Sequence, residues 1–424
     1  MYVTGGNITD RSRIILMALL ISLMTSLGAF GAWSTDSLGI FGNANMDNTI
    51  DEEDIEYVKG VIKGTDAATN LSDANFDGMI DDKDISRIKE IIDDVETEIT
   101  ILDSANRSIT IKKPVSRAIP VNANILETMR SIKAKDMVIA TEAGFTGREE
   151  IIFSEFKDLP KVGVGHSSSL DVEKIIELKP DLVLMYPSQT KKKEIIEPLN
   201  LAGIAVVGFD CYNPATYADE IKKLSYIFKR KDGQEFLEFY ENYMDSIKRK
   251  TSDLSENEMP KVYVEASQKG PYNSFGSESG YHEKISIAGG VNLFGDVSSS
   301  AMTVDPEEVL TRNPDLILIT STEGGYNRSD ARGLMDARNN ILSRSEFSDI
   351  TAVKDKEVYA MEERIIGGVR NFIGIGYLAK WLHPDLFEDL DPHAIHQEYL
   401  TRFQQIDFNL NENGVFVYPS SNDN

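Results

Sequence analysis

The sequence predicts an α/β protein in which two similar lobes are joined by one long helix and preceded by a small helical module. Three observations support this prediction: two short acidic runs near the front of the chain, an alternation of apolar runs with helical stretches after residue 96, and one segment that occurs twice. Alternating strands and helices are typical of parallel sheets that are covered by helices on both faces.

The two acidic runs are the most specific pattern in the chain. In Asp73–Asp84, side-chain oxygens stand at positions 1, 3, 5, 9 and 12, with Gly78 at position 6 and an isoleucine at position 8. Calcium takes six to eight oxygen ligands, and a tight turn at position 6 lets the chain wrap around the ion. Asn43–Asp54 is a weaker copy, because Asn43 replaces a charged ligand and Asn48 replaces the glycine. Asparagine tolerates the left-handed conformation, so we expect this turn to survive and calcium to bind with lower affinity.

A solvated acidic linker is the alternative interpretation, but it gives no reason for an isoleucine at position 8 of both copies. Each run leads directly into an amphipathic stretch with helical spacing, and no comparable helix precedes either run. An ordinary EF-hand has a helix on both sides of the loop. A duplicated unit of one loop and one helix, with aspartate at position 12, resembles a type I dockerin, the calcium-dependent module that binds a cohesin.

The dockerin resemblance covers about residues 42–96 and implies two Ca²⁺ ions as cofactors and a cohesin-bearing surface protein as a partner. Positions 10 and 11 help to choose the cohesin in that family, and here they are Glu52-Glu53 and Asp82-Lys83 rather than the pairs often seen. The implied calcium ligands are Asp73, Asn75, Asp77, Asp81 and Asp84 with the Met79 carbonyl for one ion, and Asn43, Asn45, Asp47, Asp51 and Asp54 with the Thr49 carbonyl for the other.

The N-terminus predicts export to the cell surface or a periplasm-like space. Arg11 and Arg13 precede an apolar run that ends near Ala32, and Ala29–Gly31 offers small residues for cleavage. We therefore interpret residues 1–32 as a signal peptide, with an uncleaved membrane anchor as the alternative.

The charge and cysteine content exclude several classes of function. A formal net charge of -25 argues against binding to nucleic acid and to anionic membrane surfaces. The single cysteine is Cys211, deep in the chain, so no lipid-modified cysteine follows the signal and no internal disulfide can form. A core built from several hundred residues needs no disulfide.

The chain after residue 96 predicts the α/β part. Apolar and polar residues alternate around a polar turn in Ile99–Ile111, which indicates a hairpin. Asp232–Leu254 carries aromatic residues on one helical face, and a helix of about 23 residues is roughly 34 Å long, enough to join two lobes. Short apolar runs predict buried strands at Ala118–Val121, Met137–Ala140, Leu182–Met185, Ala205–Phe209, Lys261–Glu265, Leu316–Thr320 and Val358–Met361.

The repeated segment indicates that the α/β part is duplicated. Leu170–Met185 and Val304–Ile319 each contain a short capped helix, a Pro-Asp break and a buried strand. Proline ends the helix and aspartate starts the next element. This arrangement recurs in many α/β proteins, but two copies in one chain indicate two lobes. We therefore place lobe 1 at residues 97–230, the connecting helix at 231–255 and lobe 2 at 256–424.

Two α/β lobes, one long helix, the Leu-Lys-Pro-Asp-Leu turn at 178–182 and an export signal resemble the substrate-binding proteins of ABC importers. More narrowly, they resemble the class that carries ferric siderophores, haem and cobalamin, which Ile285–Phe294, Gly368–Pro384 and Gly414–Pro419 also match. The resemblance covers about residues 97–420. It implies two Rossmann-like lobes, a ligand held in the cleft between them, no enzymatic chemistry, and the membrane subunits of an importer as partners.

The near absence of tryptophan favours a ferric siderophore or similar iron chelate over haem or cobalamin, which prefer broad aromatic faces. Direct binding of iron is not expected, because the histidines show no convincing ligand spacing. The five histidines are His166, His282, His383, His393 and His396.

The resemblance also assigns roles to individual residues. Glu173 and Glu307, near the start of the repeated helix, match glutamates that meet arginines of the importer's membrane subunit; the alternative is that they only favour helix N-termini through the dipole. Arg370 matches a family arginine that could pair with a ligand carboxylate or phosphate. Loops at the carboxyl ends of the strands line such clefts. The candidate ligand-binding residues are Asn122, Asn124, Glu142, Arg148, Tyr186, Phe275, Tyr281, His282, Tyr326, Arg364 and Arg370.

Two rival functions are compatible with parts of the sequence. Dockerins are commonly attached to glycoside hydrolases, which need two carboxylates across a cleft; acidic residues are plentiful here, yet none stands out in a motif. A surface ligand sensor would keep the bilobal fold and dispense with transport.

Overall fold

A computed structural model describes residues 38–145, 150–163 and 170–420. The predicted signal peptide lies outside the described residues, and so do Arg148 and His166. Across the described ranges, no helix combines the length and the apolar character that crossing a bilayer requires.

Two helices follow the two acidic runs: α1 (Glu52–Lys63) and α2 (Asp82–Ile92). Both begin with the same capping box, in which an aspartate side chain caps the helix and a second aspartate, at N3, bonds back to the cap's backbone amide. The duplication seen in the sequence is therefore repeated in the local structure. Buried isoleucine and valine side chains of both helices belong to one hydrophobic core.

The helical module packs directly on lobe 1. Residues 38–41 run beside β1 (Glu98–Leu102): the Phe41 amide donates to the Thr100 carbonyl at 2.9 Å, and the Leu102 amide donates to the Gly39 carbonyl at 2.8 Å. β1 pairs antiparallel with β2 (Ser108–Lys112), which confirms the predicted hairpin.

A buried ion pair lies beneath this hairpin. The Lys113 ammonium is 2.6 Å from the Glu96 carboxylate, and both side chains are almost completely buried. Glu96 ends the segment that leaves the module, and Lys113 follows β2. The module and lobe 1 thus share a continuous interior.

Lobe 1 contains a three-stranded parallel sheet in the order β3 (Ala118–Pro120), β4 (Leu182–Met185) and β5 (Ala205–Gly208). The predicted strand at Met137–Ala140 is wrong: Lys135–Met137 forms a 3₁₀ turn, which leaves only one bridge between Ala118 and Val138. The elements of lobe 1 are β3 (Ala118–Pro120), α3 (Ala123–Ser131), α4 (Glu150–Phe153), α5 (Val172–Leu178), β4 (Leu182–Met185), α6 (Lys193–Leu201), β5 (Ala205–Gly208) and α7 (Tyr217–Phe228).

The long helix α8 (Gly233–Thr251) lies within the segment for which it was predicted and connects the two lobes. Its buried face contains Phe236, Tyr240 and Tyr243. It ends shortly before the first strand of lobe 2.

Lobe 2 contains a five-stranded sheet in the order β12 (Val417–Tyr418), β11 (Val358–Glu362), β10 (Leu316–Ser321), β6 (Lys261–Ala266) and β8 (Val291–Asn292). The sheet is parallel except for the edge strand β12. The repeated segment supplies β4 to one sheet and β10 to the other, so its two copies lie in two separate sheets. The elements of lobe 2 are β6 (Lys261–Ala266), β7 (Asn273–Ser274), α9 (Gly280–Ile287), β8 (Val291–Asn292), β9 (Met302–Thr303), α10 (Pro306–Arg312), β10 (Leu316–Ser321), α11 (Arg332–Leu342), α12 (Thr351–Lys354), β11 (Val358–Glu362), α13 (Glu363–Gly367), α14 (Asn371–Leu382), α15 (Pro392–Glu398) and β12 (Val417–Tyr418).

An aromatic cluster holds α8 against α14. The Phe372 ring lies 5.8 Å from the Tyr240 ring and 6.1 Å from the Tyr243 ring, in edge-to-face geometry. On its other side Phe372 meets Tyr399 at 5.4 Å. Aromatic pairs of this kind contribute about 0.5–1.5 kcal/mol each beyond the burial of their area.

Gly374 of α14 gives a direct test of this packing. A Cβ atom added there would lie 2.5 Å from the Ile365 carbonyl oxygen and 2.9 Å from the Ile366 Cα atom, and these backbone atoms cannot move aside cheaply. We expect Gly374→Ala to lower the free energy of unfolding by about 2 kcal/mol through overpacking. Urea denaturation would measure the change.

Gly280→Ala in α9 is the matched control, since the nearest atom to its added Cβ is the Lys284 Nζ at 3.7 Å. This variant should keep the wild-type stability or gain slightly. Equal stabilities for the two variants would show that α14 is not held as closely as the structure indicates.

Candidate functional site

Loops at the carboxyl ends of the parallel strands of both sheets face each other across a cleft. Lobe 1 contributes Asn124 after β3, Tyr186 after β4 and Tyr212 after β5, while lobe 2 contributes Gln268 after β6 and Arg364 after β11. These residues line two adjoining cavities of about 410 and 780 Å³, and Asn124 and Tyr186 belong to both. The space matches the size of sites for small organic ligands.

The smaller cavity brings together six of the residues that the sequence predicted. Lobe 1 supplies three of them and lobe 2 supplies the others. They are Asn124, Glu142, Tyr186, Tyr281, Arg364 and Arg370.

Four other predicted residues do not line this cavity. The Asn122 side chain caps α3 by accepting a hydrogen bond from the Ile125 amide at 2.8 Å. Phe275 stacks on the Tyr281 ring with centroids 4.3 Å apart. His282 packs against Gly295, and Tyr326 is buried in the interior. Arg148 lies outside the described residues.

Hydrogen bonds across the cleft tie the loops of the two lobes together. The Asn124 side chain accepts a hydrogen bond from the Val369 amide at 3.1 Å and donates one to the Tyr186 hydroxyl, also at 3.1 Å. The Asn371 side chain donates to the Tyr212 carbonyl at 2.7 Å. Asn124 therefore positions cleft residues in both lobes.

Arg370 belongs to a buried polar network at the base of the cleft. Its Nε atom lies 3.2 Å from Oε1 of Glu127, which also accepts a hydrogen bond from the Tyr399 hydroxyl at 2.9 Å. An Nη1–H group of Arg370 donates to the Tyr326 hydroxyl at 3.0 Å, and that hydroxyl lies 2.7 Å from Nε2 of His396. Burial holds the pKa of His396 well below its usual value. The guanidinium that the sequence assigned to a ligand anion is thus already paired inside the protein.

Burial also shifts the titration of groups around the cleft. It raises the pKa of Glu142 to about 7 and raises the pKa of Asp210. It lowers the pKa of Lys284 to about 8. The Lys284 ammonium lies 5.6 Å from the centre of the Tyr281 ring and 5.9 Å from that of Tyr212, so aromatic faces from both lobes surround one cation.

The sequence prediction missed several residues of this region, including Asp210, Tyr212, Glu127 and Lys284. Asp210 and Tyr212 directly follow β5, so the rule that found Tyr186 after β4 would also have found them. Glu127 lies inside α3 and Lys284 inside α9, and no sequence pattern marks either as a cleft residue.

The two acidic loops share one hydrogen-bonding pattern. The carboxylate of Asp54 accepts from the amides of Asn45 and Asp51, at 3.1 and 2.9 Å. Asp84 repeats these contacts with the amides of Asn75 and Asp81, at 3.1 and 2.7 Å. Both aspartates are fully buried, and burial raises the pKa of Asp54 to about 6 and also raises that of Asp84.

The backbone of the first loop differs from the expectation. Asn48 does not adopt a left-handed conformation, whereas its counterpart Gly78 has φ +88°. Position 4 is left-handed in both loops instead, at Met46 with φ 61° and Phe76 with φ 57°. The first loop therefore turns, as predicted, but without the left-handed conformation expected at Asn48.

The donors of these loops suit a hard cation. The Asn43 side chain is fully buried and its Oδ1 atom has no hydrogen-bond partner among the described residues, while its amide group donates to the Leu38 and Asp47 carbonyls. Within the described residues, no three His, Cys, Asp or Glu side chains already converge on one point. A buried oxygen without a partner, together with asparagine and aspartate donors, fits an ion that prefers oxygen ligands.

Glu173 and Glu307 occupy equivalent exposed positions in the first turns of α5 and α10. The helix caps are other residues, since Asp171 accepts from the Lys174 amide and Asp305 from the Glu307 amide, each at 2.9 Å. Neither glutamate carboxylate makes an ion pair in the described part of the chain. Both are therefore available to a partner.

Two α/β lobes, a rigid connecting helix and a cleft that both lobes line define a bilobal solute-binding protein. A family model described as periplasmic binding protein matches residues 146–365, just over half of the chain. The chain belongs to the periplasmic binding protein family. Membership in a family of binding proteins confirms the prediction that it is not an enzyme.

Known proteins resemble the chain over its α/β part. An uncharacterized ABC transporter substrate-binding lipoprotein of Bacillus subtilis, YvrC, is 24% identical over 298 residues, which are 69% of this chain and 87% of the relative. The vitamin B12-binding protein of Vibrio cholerae is 25% identical over 234 residues, 53% of this chain and 76% of the relative. The crystal structure of the TroA-like periplasmic binding protein FepB from Veillonella parvula has a TM-score of 0.66 at 21% identity and covers 75% of this chain and 98% of that one, which shows the shared fold.

The buried pair of Glu127 and Arg370 should be costly to break. Both side chains are at most 3% exposed, so Glu127→Gln leaves an unbalanced guanidinium in the interior. We expect this substitution to lower the free energy of unfolding by about 3 kcal/mol. Urea denaturation followed by circular dichroism would measure it.

The double variant Glu127→Gln with Arg370→Met is the control, because it removes both charges at similar volume. It should recover most of the lost stability, since a buried pair replaced by less polar groups costs little. A double variant as unstable as the single one would mean that the charge balance does not matter there.

Proposed function

We propose that this protein is the extracytoplasmic substrate-binding protein of an ABC importer and that it holds an iron chelate, such as a ferric siderophore, or a related haem or cobalamin ligand in the cleft between its lobes. The observation that carries the proposal is the cleft itself: loops from two separate parallel sheets line one space between lobes that a single long helix connects. The family match and a relative described as an ABC transporter substrate-binding lipoprotein support the same class of function.

The character of the cleft supports a chelate as the ligand. Tyr186, Tyr212 and Tyr281 present phenol rings, which stack on flat organic groups and also donate hydrogen bonds. The similarity to a vitamin B12-binding protein supports a ligand that is a metal chelate. Because the chain has few tryptophans, haem and cobalamin are less favoured than a ferric siderophore.

Delivery would use Glu173 and Glu307. Both carboxylates lie at the N-termini of helices that directly precede strands of the parallel sheets. Since the N-terminus of such a helix lies at the carboxyl ends of the strands, we place both carboxylates on the side of the lobes where the cleft opens. Exposed carboxylates of this kind steer an encounter with basic residues and fix its register. Binding of ligand needs neither of them.

A charge reversal tests the delivery step. Glu173→Arg with Glu307→Arg should reduce uptake by about tenfold or more in cells, because like charges would face the membrane subunits. Ligand affinity, measured on the purified protein by tryptophan fluorescence or calorimetry, should not change.

The matched control is Glu197→Arg with Glu256→Arg, which changes the net charge equally at exposed glutamates outside the two helices. It should leave uptake intact. Wild-type uptake by the first variant would favour a sensor that keeps the fold without transport.

We further propose that the N-terminal module is a dockerin-like calcium-binding module that contacts a cohesin-bearing surface protein. The repeated hydrogen-bond pattern of the two loops and the unpartnered Oδ1 atom of Asn43 support two calcium sites. Positions 10 and 11 of both loops are exposed, so Glu52, Glu53, Asp82 and Lys83 remain accessible to a partner. The predicted signal peptide would place the module outside the cytoplasm, either released or held by an uncleaved anchor.

Calcium should stabilise the whole protein. An ion at about a hundredfold excess over its dissociation constant adds about 2.7 kcal/mol to the folded state. We expect two ions to bind by calorimetry, and chelation with EGTA to lower the melting temperature of the module and lobe 1 together, because they share one core.

Equivalent substitutions at position 5 separate the two sites. Asp47→Ala and Asp77→Ala should each remove one ion, and the double variant both. Asp93→Ala, which removes an exposed carboxylate outside the loops, should bind two ions like the wild type. Unchanged binding in the double variant would contradict the assignment of the loops.

A further inference from the structure

Glu142 is the most unusual side chain of the cleft. It follows the short bridge between Thr141 and Lys161, is only 3% exposed, and lines the smaller cavity beside Asn124 and Tyr186. Its Oε1 atom is buried and has no hydrogen-bond partner among the described residues. A buried carboxyl oxygen without a partner is costly, so its position at the wall of a cavity points to a partner supplied by a ligand.

The described lining of this cavity contains three carboxyl groups, those of Glu127, Glu142 and Glu363, and two guanidinium groups, those of Arg364 and Arg370. The Lys284 ammonium lies close by, 5.6 Å from the centre of the Tyr281 ring. Arg370 pairs with Glu127 at 3.2 Å. Among the described lining carboxyl groups, Glu142 is the one with a buried oxygen that lacks a hydrogen-bond partner, so it is the group that a ligand cation would fit.

We propose that Glu142 receives a protonated amine of the ligand, so that the cleft selects an organic chelate that carries a cationic group over a neutral chelate or a free oxyanion. This inference rests on the proposed carrier function and names the charge of its cargo. The amine would complete the hydrogen bonding of the orphan oxygen and neutralise the Glu142 carboxylate in one contact.

The neighbouring aromatic rings favour the same kind of ligand. Tyr186 and Tyr281 line the cavity with Glu142, and tyrosine faces attract cations. Lys284 shows that the rings around the cleft accept an ammonium group, since it lies within 6 Å of two of them, at 5.6 Å from Tyr281 and 5.9 Å from Tyr212. An oxyanion would instead meet the carboxyl group of Glu142, and of the two arginines that line the cavity, Arg370 is already paired with Glu127.

The interaction should depend on pH. The titratable or charged groups that line the cavity with Glu142 are Glu127, Tyr186, Tyr281, Glu363, Arg364 and Arg370. Burial raises the pKa of Glu142 to about 7. An ammonium binds the carboxylate and not the neutral acid. Affinity should therefore be highest above that pKa and weaken as the pH falls through it.

Two iron chelates that differ only in this charge provide the test. Ferrioxamine B carries a terminal ammonium group, and its N-acetyl derivative carries a neutral amide in the same place. By calorimetry at about pH 8, the wild-type protein should bind ferrioxamine B about tenfold more tightly than the acetylated form. Molybdate serves as the oxyanion probe and should bind more weakly than either.

Variants at position 142 connect this preference to the carboxylate. Glu142→Gln keeps the size of the side chain and should abolish both the preference and its pH dependence, while Glu142→Asp should retain part of each. Removing a buried charge without a partner should not unfold the protein, and the melting temperature would verify this. Glu197→Gln makes the same chemical change on the exposed face of α6 and should behave as the wild type.

The outcomes separate the inference from the function on which it rests. Equal binding of the two chelates, a preference for molybdate, or an unchanged preference in Glu142→Gln would overturn the inference and leave the carrier function standing. Binding of none of the three probes would overturn both the iron-chelate cargo and the cationic preference.

Discussion

The arrangement of the two lobes depends on the buried ion pair between Glu127 and Arg370. Glu127 lies on α3 of lobe 1, and Arg370 directly precedes α14 of lobe 2, so this contact fixes the base of the cleft. The aromatic face of α8 packs on α14 from the other side through Phe372. A charge pair and an apolar cluster therefore act on the same helix, and they leave little freedom for the lobes to rotate. A carrier built this way holds its ligand in a nearly preformed cleft.

Apolar runs were sufficient to predict most of the strands, because parallel strands buried on both faces need continuous apolar residues. Leu182–Met185 and Val358–Met361 coincide with or fall within β4 and β11. Met137–Ala140 is equally apolar, but its first residue belongs to a 3₁₀ turn and the segment forms only one bridge to β3. Apolar composition alone therefore does not determine whether a segment pairs with a neighbouring strand.

Part of the candidate site was predictable because residues that follow a strand line the cleft, as Asn124 and Tyr186 do. Arg370, which also lines it, was predicted from the family resemblance. Arg370 was expected to pair with a ligand carboxylate or phosphate, but the structure pairs it with Glu127, which stands more than two hundred positions away in the sequence, and only the folded chain brings the two together. The unpaired state of Glu142 is likewise a property of the fold, since no sequence pattern states that a carboxyl group will lack a partner.

The helix α7 connects the N-terminal module to the cleft. Near its start, the Glu220 carboxylate accepts hydrogen bonds from the Asp210 and Cys211 amides, at 2.9 and 2.6 Å, which holds the loop that carries Tyr212. Just past its end, the Lys229 ammonium lies 3.3 Å from the Asp94 carboxylate of the module. The module is thus braced on the same element that shapes the ligand site. A partner bound to the module would therefore orient lobe 1 rather than hold it on a loose tether. Because the exposed face of the module lies on its outer loops and helices, attachment there is compatible with an open cleft.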